Sequence, residues 1–351
     1  MFEELIRSWD GEEVLARFDA DTDAWMFICI HSTRLGPAAG GCRVKTYAST
    51  DDALRDCMRL AEGMTLKNAA AGLPMGGGKS VIAVPDVPPP GSDLRARIVR
   101  TFGRMVGSLQ GTYWTGPDMN TSQPDMDVIW EVAPFAFGRS PLLGGSGDSA
   151  PDTAEGVLNG IRASVAHVFG TADLAGRSVL VQGVGGVGGR LAELLAKENV
   201  ALLVADVDAD RVGELAERLG ATVVAPDAVI DTACDVYAPC AVGGTVDTES
   251  IPRLRCRIVA GGANNQLGEP GTDAERLHAR GILYAPDYVI NAGGAFHLIG
   301  QETLGWTRPE LDAHIAGIGD TLTRIYQRAA AQGITTELAA ERIARDRLAA
   351  A

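Results

Sequence analysis

A chain of 351 residues, 46% hydrophobic and 22% charged, has room for two domains, each burying its own core. Its formal net charge of −14 argues against a nucleic-acid or anionic-membrane partner, since both reward basic surfaces, but leaves room for a small anion held by local lysines. Cys29, Cys42, Cys57, Cys234, Cys240 and Cys256 show no C-x-x-C spacing and no His pair has ligand spacing, so no metal is expected and the thiols read as reduced core residues of a cytoplasmic protein.

The start of the chain lacks a basic stretch followed by an apolar run, and no apolar segment is long enough to span a bilayer. Residues 13–18 and 25–31 read as two strands joined by a polar turn, a β-hairpin. The small residues at 35–43, including Ala39, Gly40 and Gly41, imply backbone packed closely against another strand or a ligand. Residues 50–64 give a helix with Leu54, Cys57 and Met58 on its apolar face. Lys67 then follows that helix, and Lys79 precedes a strand at 80–84. Between them Gly76, Gly77 and Gly78 read as a bare loop, able to reach φ > 0 and to let another molecule come close. A lysine carried into a cleft near a second cation can act as a base near neutral pH; the bland alternative is a turn and a solvated lysine.

A linker at 88–91 and a helix at 92–110 come next. A strand end then delivers Asp118 behind Gly116 and Pro117. A carboxylate there either caps a turn or points into a ligand crevice, and beside two lysines it becomes a candidate acid/base partner. Residues 138–149 read as a linker, where the domain boundary falls, and 152–169 as a helix.

Residues 179–206 carry the strongest signal that reads from first principles. A short strand at 179–182 runs into Gly183, Gly185 and Gly188 with G-x-G-x-x-G spacing, then a helix at 190–197 and a strand at 200–205 ending at Asp206. Gly183 suits a tight turn, Gly185 the approach of a pyrophosphate, and Gly188 close helix–strand packing. The helix N-terminus offers N–H donors and a positive dipole end. Asp206 suits a ribose and repels a 2′-phosphate, so NAD is expected over NADP, with Arg211 weighing the other way. Later strands at 222–224, 236–238 and 258–260 run into small residues along the same rim. Helical segments over 309–348 place Ile315, Ile318, Leu322 and Ile325 on one face, expected to pack back across the first domain.

Lys67, the run from Pro74 to Lys79, Asp118, the Gly183 to Gly188 fingerprint, Gly262-Ala263-Asn264 and Asn291-Ala292-Gly293-Gly294 stand in one order. With them the chain resembles the glutamate/leucine/phenylalanine/valine dehydrogenase family over nearly its full length. The resemblance implies an α/β fold of two domains with the active site in the cleft between them. One is an N-terminal substrate and oligomerisation domain (1–140 plus C-terminal helices at about 310–351); the other is a Rossmann-type doubly wound NAD-binding domain (141–309). It also implies a homo-oligomer that oxidatively and reversibly deaminates an L-amino acid to a 2-oxo acid and ammonia.

Carried over residue by residue, Lys67 would hold the substrate carboxylate, Lys79 would be the acid/base, and Asp118 would assist proton transfer beside the cofactor. Asn264 looks like a contact shared by substrate and nicotinamide ribose, with Gly40 and Gly41 lining the substrate. Arg43, Ser149, Thr153, Asp206, Arg211, Cys240 and Ala241 match cofactor positions, as do Gly186, Val187, Gly262 and Ala263. In branched-chain relatives the positions of Ala39, Gly116 and Ala295 look bulkier. With Leu298 as an apolar wall and Asn120 nearby, the roomier pocket implies L-phenylalanine as substrate, a branched-chain leucine or valine activity being the alternative.

Overall fold

The computed structural model describes residues 2–351 and forms two compact units. The first holds the residues up to Gly147 with Leu298–Gly305 and Ala344–Ala351; the second holds Asp148–His297 and Trp306–Ile343.

In the first unit, helix α1 (Phe2–Ser8) leads into the antiparallel hairpin of β1 (Glu13–Asp19) and β2 (Ala24–Ser32). Then come β3 (Ala38–Lys45), α2 (Thr50–Ala71), β4 (Gly76–Ala83), α3 (Asp93–Ser108), β5 (Tyr113–Pro117) and α4 (Gln123–Trp130). The sheet order is β1-β2-β4-β3-β5, with β3 parallel to both β4 and β5 and β2 antiparallel to β4. Helix α2 seals one face, where Leu54, Cys57 and Ala61 meet Phe27, Cys29 and Val81. Ile98, Phe102, Met126 and Ile129 from α3 and α4 seal the other against Met26, Ile28 and Ile82. Covered on both sides, β4 is buried at every position instead of alternating.

The glycine triplet corrects the sequence reading. Gly76, Gly77 and Gly78 form no loop: they open strand β4, and none of them has a positive φ. What excludes a side chain is proximity. A Cβ on Gly77 would lie 2.1 Å from the Thr65 backbone nitrogen of α2, and one on Gly76 2.0 Å from the Ser32 carbonyl oxygen. Helix α2 therefore sits directly on bare backbone and runs on to Ala71, so Lys67 lies within the helix and Lys79 within the strand.

The second unit opens with α5 (Ala150–Phe169), followed by β6 (Ser178–Gln182), α6 (Gly186–Leu195), β7 (Ala201–Ala205), α7 (Ala209–Leu219) and β8 (Thr222–Val223). It continues with β9 (Val236–Pro239), β10 (Ile258–Val259), α8 (Pro270–Ala279), β11 (Leu283–Tyr284), α9 (Asp287–Ile290) and α10 (Gly293–Ala295). Helices α11 (Arg308–Gln332) and α12 (Thr336–Ala350) end the chain. The six strands are all parallel in the order β11-β10-β9-β6-β7-β8. This is the doubly wound arrangement, with its reversal of winding between β6 and β9.

The domain boundaries expected from sequence need correction at the C-terminus. Helix α11 belongs to the second unit, not the first. Its apolar face packs on α5, where two glycines make the seat: a Cβ on Gly156 would lie 2.7 Å from Ile318 Cδ1, and one on Gly160 2.9 Å from Leu322 Cδ1. Only the residues from Ala344 onward fall in the first unit, where Arg347 donates to the Ala69 and Gly72 carbonyls at 3.0 Å each. Among the described residues no helix is long and apolar enough to cross a membrane, and no three acidic, His or Cys side chains are grouped to hold a metal.

Candidate active site

Lys79 sits mid-strand on β4, across from Cys29 of β2, and is 5% exposed. Asp118 follows the last residue of β5 in a tight turn. There Thr121 accepts the Asp118 N–H at 2.7 Å through Oγ1 and donates the same hydroxyl to the Cys42 carbonyl at 2.7 Å. Gly41 on β3 leaves the space for it, since a Cβ there would lie 2.8 Å from Asp118 Cβ. These constraints bring Asp118 Oδ2 to 3.2 Å from Lys79 Nζ. Arg43 Nε donates to the same oxygen at 2.9 Å. Burial raises the Asp118 carboxyl, but the Lys79 and Arg43 cations outweigh it and hold the group below the usual carboxylate range. Lys67 lies half-buried near the C-terminal end of α2, the helix that packs on β4. Asn120 serves the turn: it adopts a left-handed conformation (φ 58°), and its Nδ2 donates to the Val44 carbonyl at 3.0 Å.

The expected substrate-pocket residues fare differently. Ala39 is fully buried on β3, in register with Gly77 and Trp114. Gly40 is backbone-crowded: a Cβ would meet the Gly78 oxygen at 1.8 Å. Gly116 does not open free volume. Its missing side chain is replaced by the Phe137 ring, whose Cε2 lies 2.0 Å from where a Cβ would stand. The cause is a short bridge beside β5, in which the Thr115 N–H donates to the Phe135 carbonyl at 3.0 Å and the Phe137 N–H to the Thr115 carbonyl at 2.9 Å. Sequence reasoning missed Phe137, because nothing local ties position 137 to 116. Leu298 reaches the same neighbourhood, 3.9 Å from the Cβ position of Gly138.

Ala295 closes α10 in the second unit, just before a π-helical turn at Phe296–Gly300. That turn is anchored by a charged cluster also missed from sequence, in which Asp152 and His297 are buried. His297 Nδ1 lies 2.6 Å from Asp152 Oδ2, and Arg308 grips Asp152 with both Nη atoms at 3.0 and 2.8 Å.

The glycine fingerprint divides its labour as the spacing implied. Gly183 takes a positive φ of 86°, and a Cβ there would lie 2.6 Å from that of Ala241. Gly185 caps α6 and faces open space, with nothing within 4 Å of its Cβ position. Gly188 lies so close to the first turn that a Cβ would stand 1.8 Å from the Gly183 oxygen and 3.0 Å from Cys240 Cβ. Gly262 meets Val187 and accepts a place beside Cys240, whose sulfur receives the Gly262 N–H at 3.4 Å. Burial pushes the Cys240 thiol up to about 11. Ala263 donates its N–H to the Pro239 carbonyl at 2.9 Å, and Asn264 Oδ1 accepts from Asn291 Nδ2 at 2.8 Å. The N-terminus of α5 joins this rim: Gly186 approaches Ala150, and Gly294 approaches Thr153 Oγ1 and Ser149 Oγ.

Asp206, at the end of β7, accepts the Val184 N–H at 2.7 Å on one oxygen and the Asp208 N–H at 3.0 Å on the other. Each oxygen keeps a lone pair for a ribose hydroxyl. Arg211 pairs with Asp208 at 2.8 Å and stays 3.9 Å from Asp206. An open glycine at a helix N-terminus, two neighbouring helix starts and a pre-oriented carboxylate fit a dinucleotide.

A doubly wound unit with such a cradle marks the class as a dinucleotide-linked oxidoreductase, and the other unit carries a buried lysine–aspartate pair. Two family models match: the Glu/Leu/Phe/Val dehydrogenase dimerisation domain over residues 20–133, and the Glutamate/Leucine/Phenylalanine/Valine dehydrogenase domain over 200–351. Leucine dehydrogenase of Thermoactinomyces intermedius is 41% identical over 98% of this chain and 93% of its own. Valine dehydrogenase of Streptomyces albus is 42% identical over 97% and 93%. The crystal structure of L-tryptophan dehydrogenase from Nostoc punctiforme superposes with a TM-score of 0.89 at 38% identity, covering 99% of this chain and 98% of that one. The chain belongs to the Glu/Leu/Phe/Val dehydrogenase family, is an amino acid dehydrogenase, and takes NAD as its cofactor.

Proposed function

We propose that this chain catalyses the reversible NAD-linked oxidative deamination of an L-amino acid with an apolar side chain, giving the 2-oxo acid, ammonia, NADH and a proton. The observation that carries the reading is the buried Lys79 Nζ at 3.2 Å from Asp118 Oδ2. Substrate amine must be neutral before its Cα can lose hydride, and Lys79 is the base that takes its proton. Bound NAD supplies the hydride acceptor. Lys79 passes that proton to Asp118 Oδ2, 3.2 Å away, and is then free to take a second proton from the water that attacks the imine. Asp118 carries a proton to the departing ammonia as the carbinolamine collapses. Lys67 holds the substrate carboxylate.

For the side chain, leucine and valine are the first reading, supported by relatives that are leucine and valine dehydrogenases. The pocket-volume case for phenylalanine loses its Gly116 component to Phe137. L-Phenylalanine is the second reading, supported by the small Ala39 and Ala295 and by a tryptophan dehydrogenase relative at 39% identity. A homo-oligomer is supported by the match to a dimerisation domain, and a cytoplasmic setting by six free cysteines.

NADH formation across Val, Leu, Phe and Trp tests the proposal. A kcat/KM for Leu or Val at least tenfold above Phe establishes the first reading, and the reverse order the second. Absence of turnover on all four overturns the proposal.

A further inference from the structure

The oxygen that binds Lys79 is shared. Arg43 presents one edge of its guanidinium to each of two carboxylates: Nε to Asp118 Oδ2 at 2.9 Å, and Nη1 to Asp56 Oδ2 at 3.0 Å. Asp56, from the second turn of α2, is itself fixed. Tyr47 donates its hydroxyl to Oδ2 at 2.8 Å, and Arg59 Nη2 donates to Oδ1 at 2.8 Å. Arg43 and Asp56 side chains are only 15% and 16% exposed, so water competes weakly for either partner. A planar fork held at two edges cannot rotate about one contact, and its charge stays on Asp118.

We propose that Asp56 is a positioning residue for the acid/base pair: it locks Arg43 onto Asp118, and Arg43 thereby offsets the charge that Asp118 presents to Lys79. The proposal rests on the reading of Lys79 and Asp118 as that pair. Its chemical content is a balance. With Arg43 in place, the single carboxylate is divided between two cations, and its Oδ2 is fixed facing Lys79. With Arg43 loosened, that oxygen is held by one cation only and the carboxylate can turn away from Lys79.

Other groups around the pair leave this balance to the two carboxylates and Arg43. Helix α2 also carries Lys67, about three turns beyond Asp56. The thiols on this side are not anions at working pH: burial pushes Cys42 up to about 12 and holds Cys57 well above its ordinary value. The Tyr47 hydroxyl is likewise kept protonated, by burial and by Asp56 itself.

The test is the split between kcat and KM for the amino acid. Asp56→Asn keeps the shape and an acceptor for Tyr47 but removes the charge that holds the second edge of Arg43. It is expected to lower kcat about tenfold while KM and the Tm stay close to wild type. Arg43→Lys keeps a cation but cannot span both carboxylates, and should lower kcat likewise; Asp56→Glu should restore most of it. A merely structural role for Asp56 lowers the Tm together with kcat, and that result, or an unchanged kcat in both Asp56→Asn and Arg43→Lys, overturns the proposal. Lys79→Ala, run alongside, separates the two claims: if it retains turnover, the acid/base reading itself fails, whatever the other variants do.

Discussion

Three side chains decide what the first unit can do, and each is set by a residue that has little or no side chain of its own. Gly41 makes room for Asp118, Gly77 lets α2 descend onto the strand of Lys79, and Gly116 yields its volume to Phe137. The first two contributions were partly legible, because runs of small residues announce close approach without saying to what. The third was not. A glycine in sequence reads as space, and only the backbone bridge of Thr115 with Phe135 and Phe137 shows the space to be filled. Phe137→Leu should therefore restore room beside Gly116 and raise the kcat/KM ratio of Trp to Leu about tenfold. An unchanged ratio would remove Phe137 from the substrate wall.

Among the elements, the strand β4 shows where local reading stops. Three consecutive glycines satisfy every local rule for a loop, yet the strand is imposed by pairing with β2 and β3 and by α2 above it. Gly77→Ala separates the two accounts. In a loop it would be neutral or stabilising; in this strand it forces a methyl against helix backbone and should cost about 1–3 kcal/mol or more in denaturant unfolding.

Helix α12 carries a second element-level consequence. Burial, with Asp287 and Glu341 adding to it against the Tyr288 hydroxyl, pushes Glu337 up to about 8. Its unfolded value lies near 4.5, so across that window the folded chain holds a proton that the unfolded chain has lost. The stability it contributes is complete below about pH 4.5 and is lost as pH rises through about 8. Glu337→Gln should thus have a Tm close to wild type at pH 4.5 and increasingly above it by pH 8. A Tm difference independent of pH would rule this out.

Across the whole molecule, the dinucleotide unit was the most legible part. Its strand–glycine–helix–strand–acid order is local, and each glycine of the fingerprint meets the steric demand that its spacing implies. The C-terminal helices were less so. Their apolar face was evident from Ile315, Ile318 and Leu322, but a face does not name its partner, and the seat on α5 is built by Gly156 and Gly160 far upstream. The Asp152–His297–Arg308 cluster was invisible for the same reason: Asp152 lies more than a hundred residues before the other two.

Lys79 is proposed as the acid/base of an NAD-linked amino acid oxidation. Its most direct measurement is amino-acid-dependent NADH formation by Lys79→Ala beside wild type, with NAD affinity measured on both. The expected result is at least a hundredfold loss of turnover with NAD affinity within a few-fold of wild type. Turnover by Lys79→Ala close to that of wild type would contradict it.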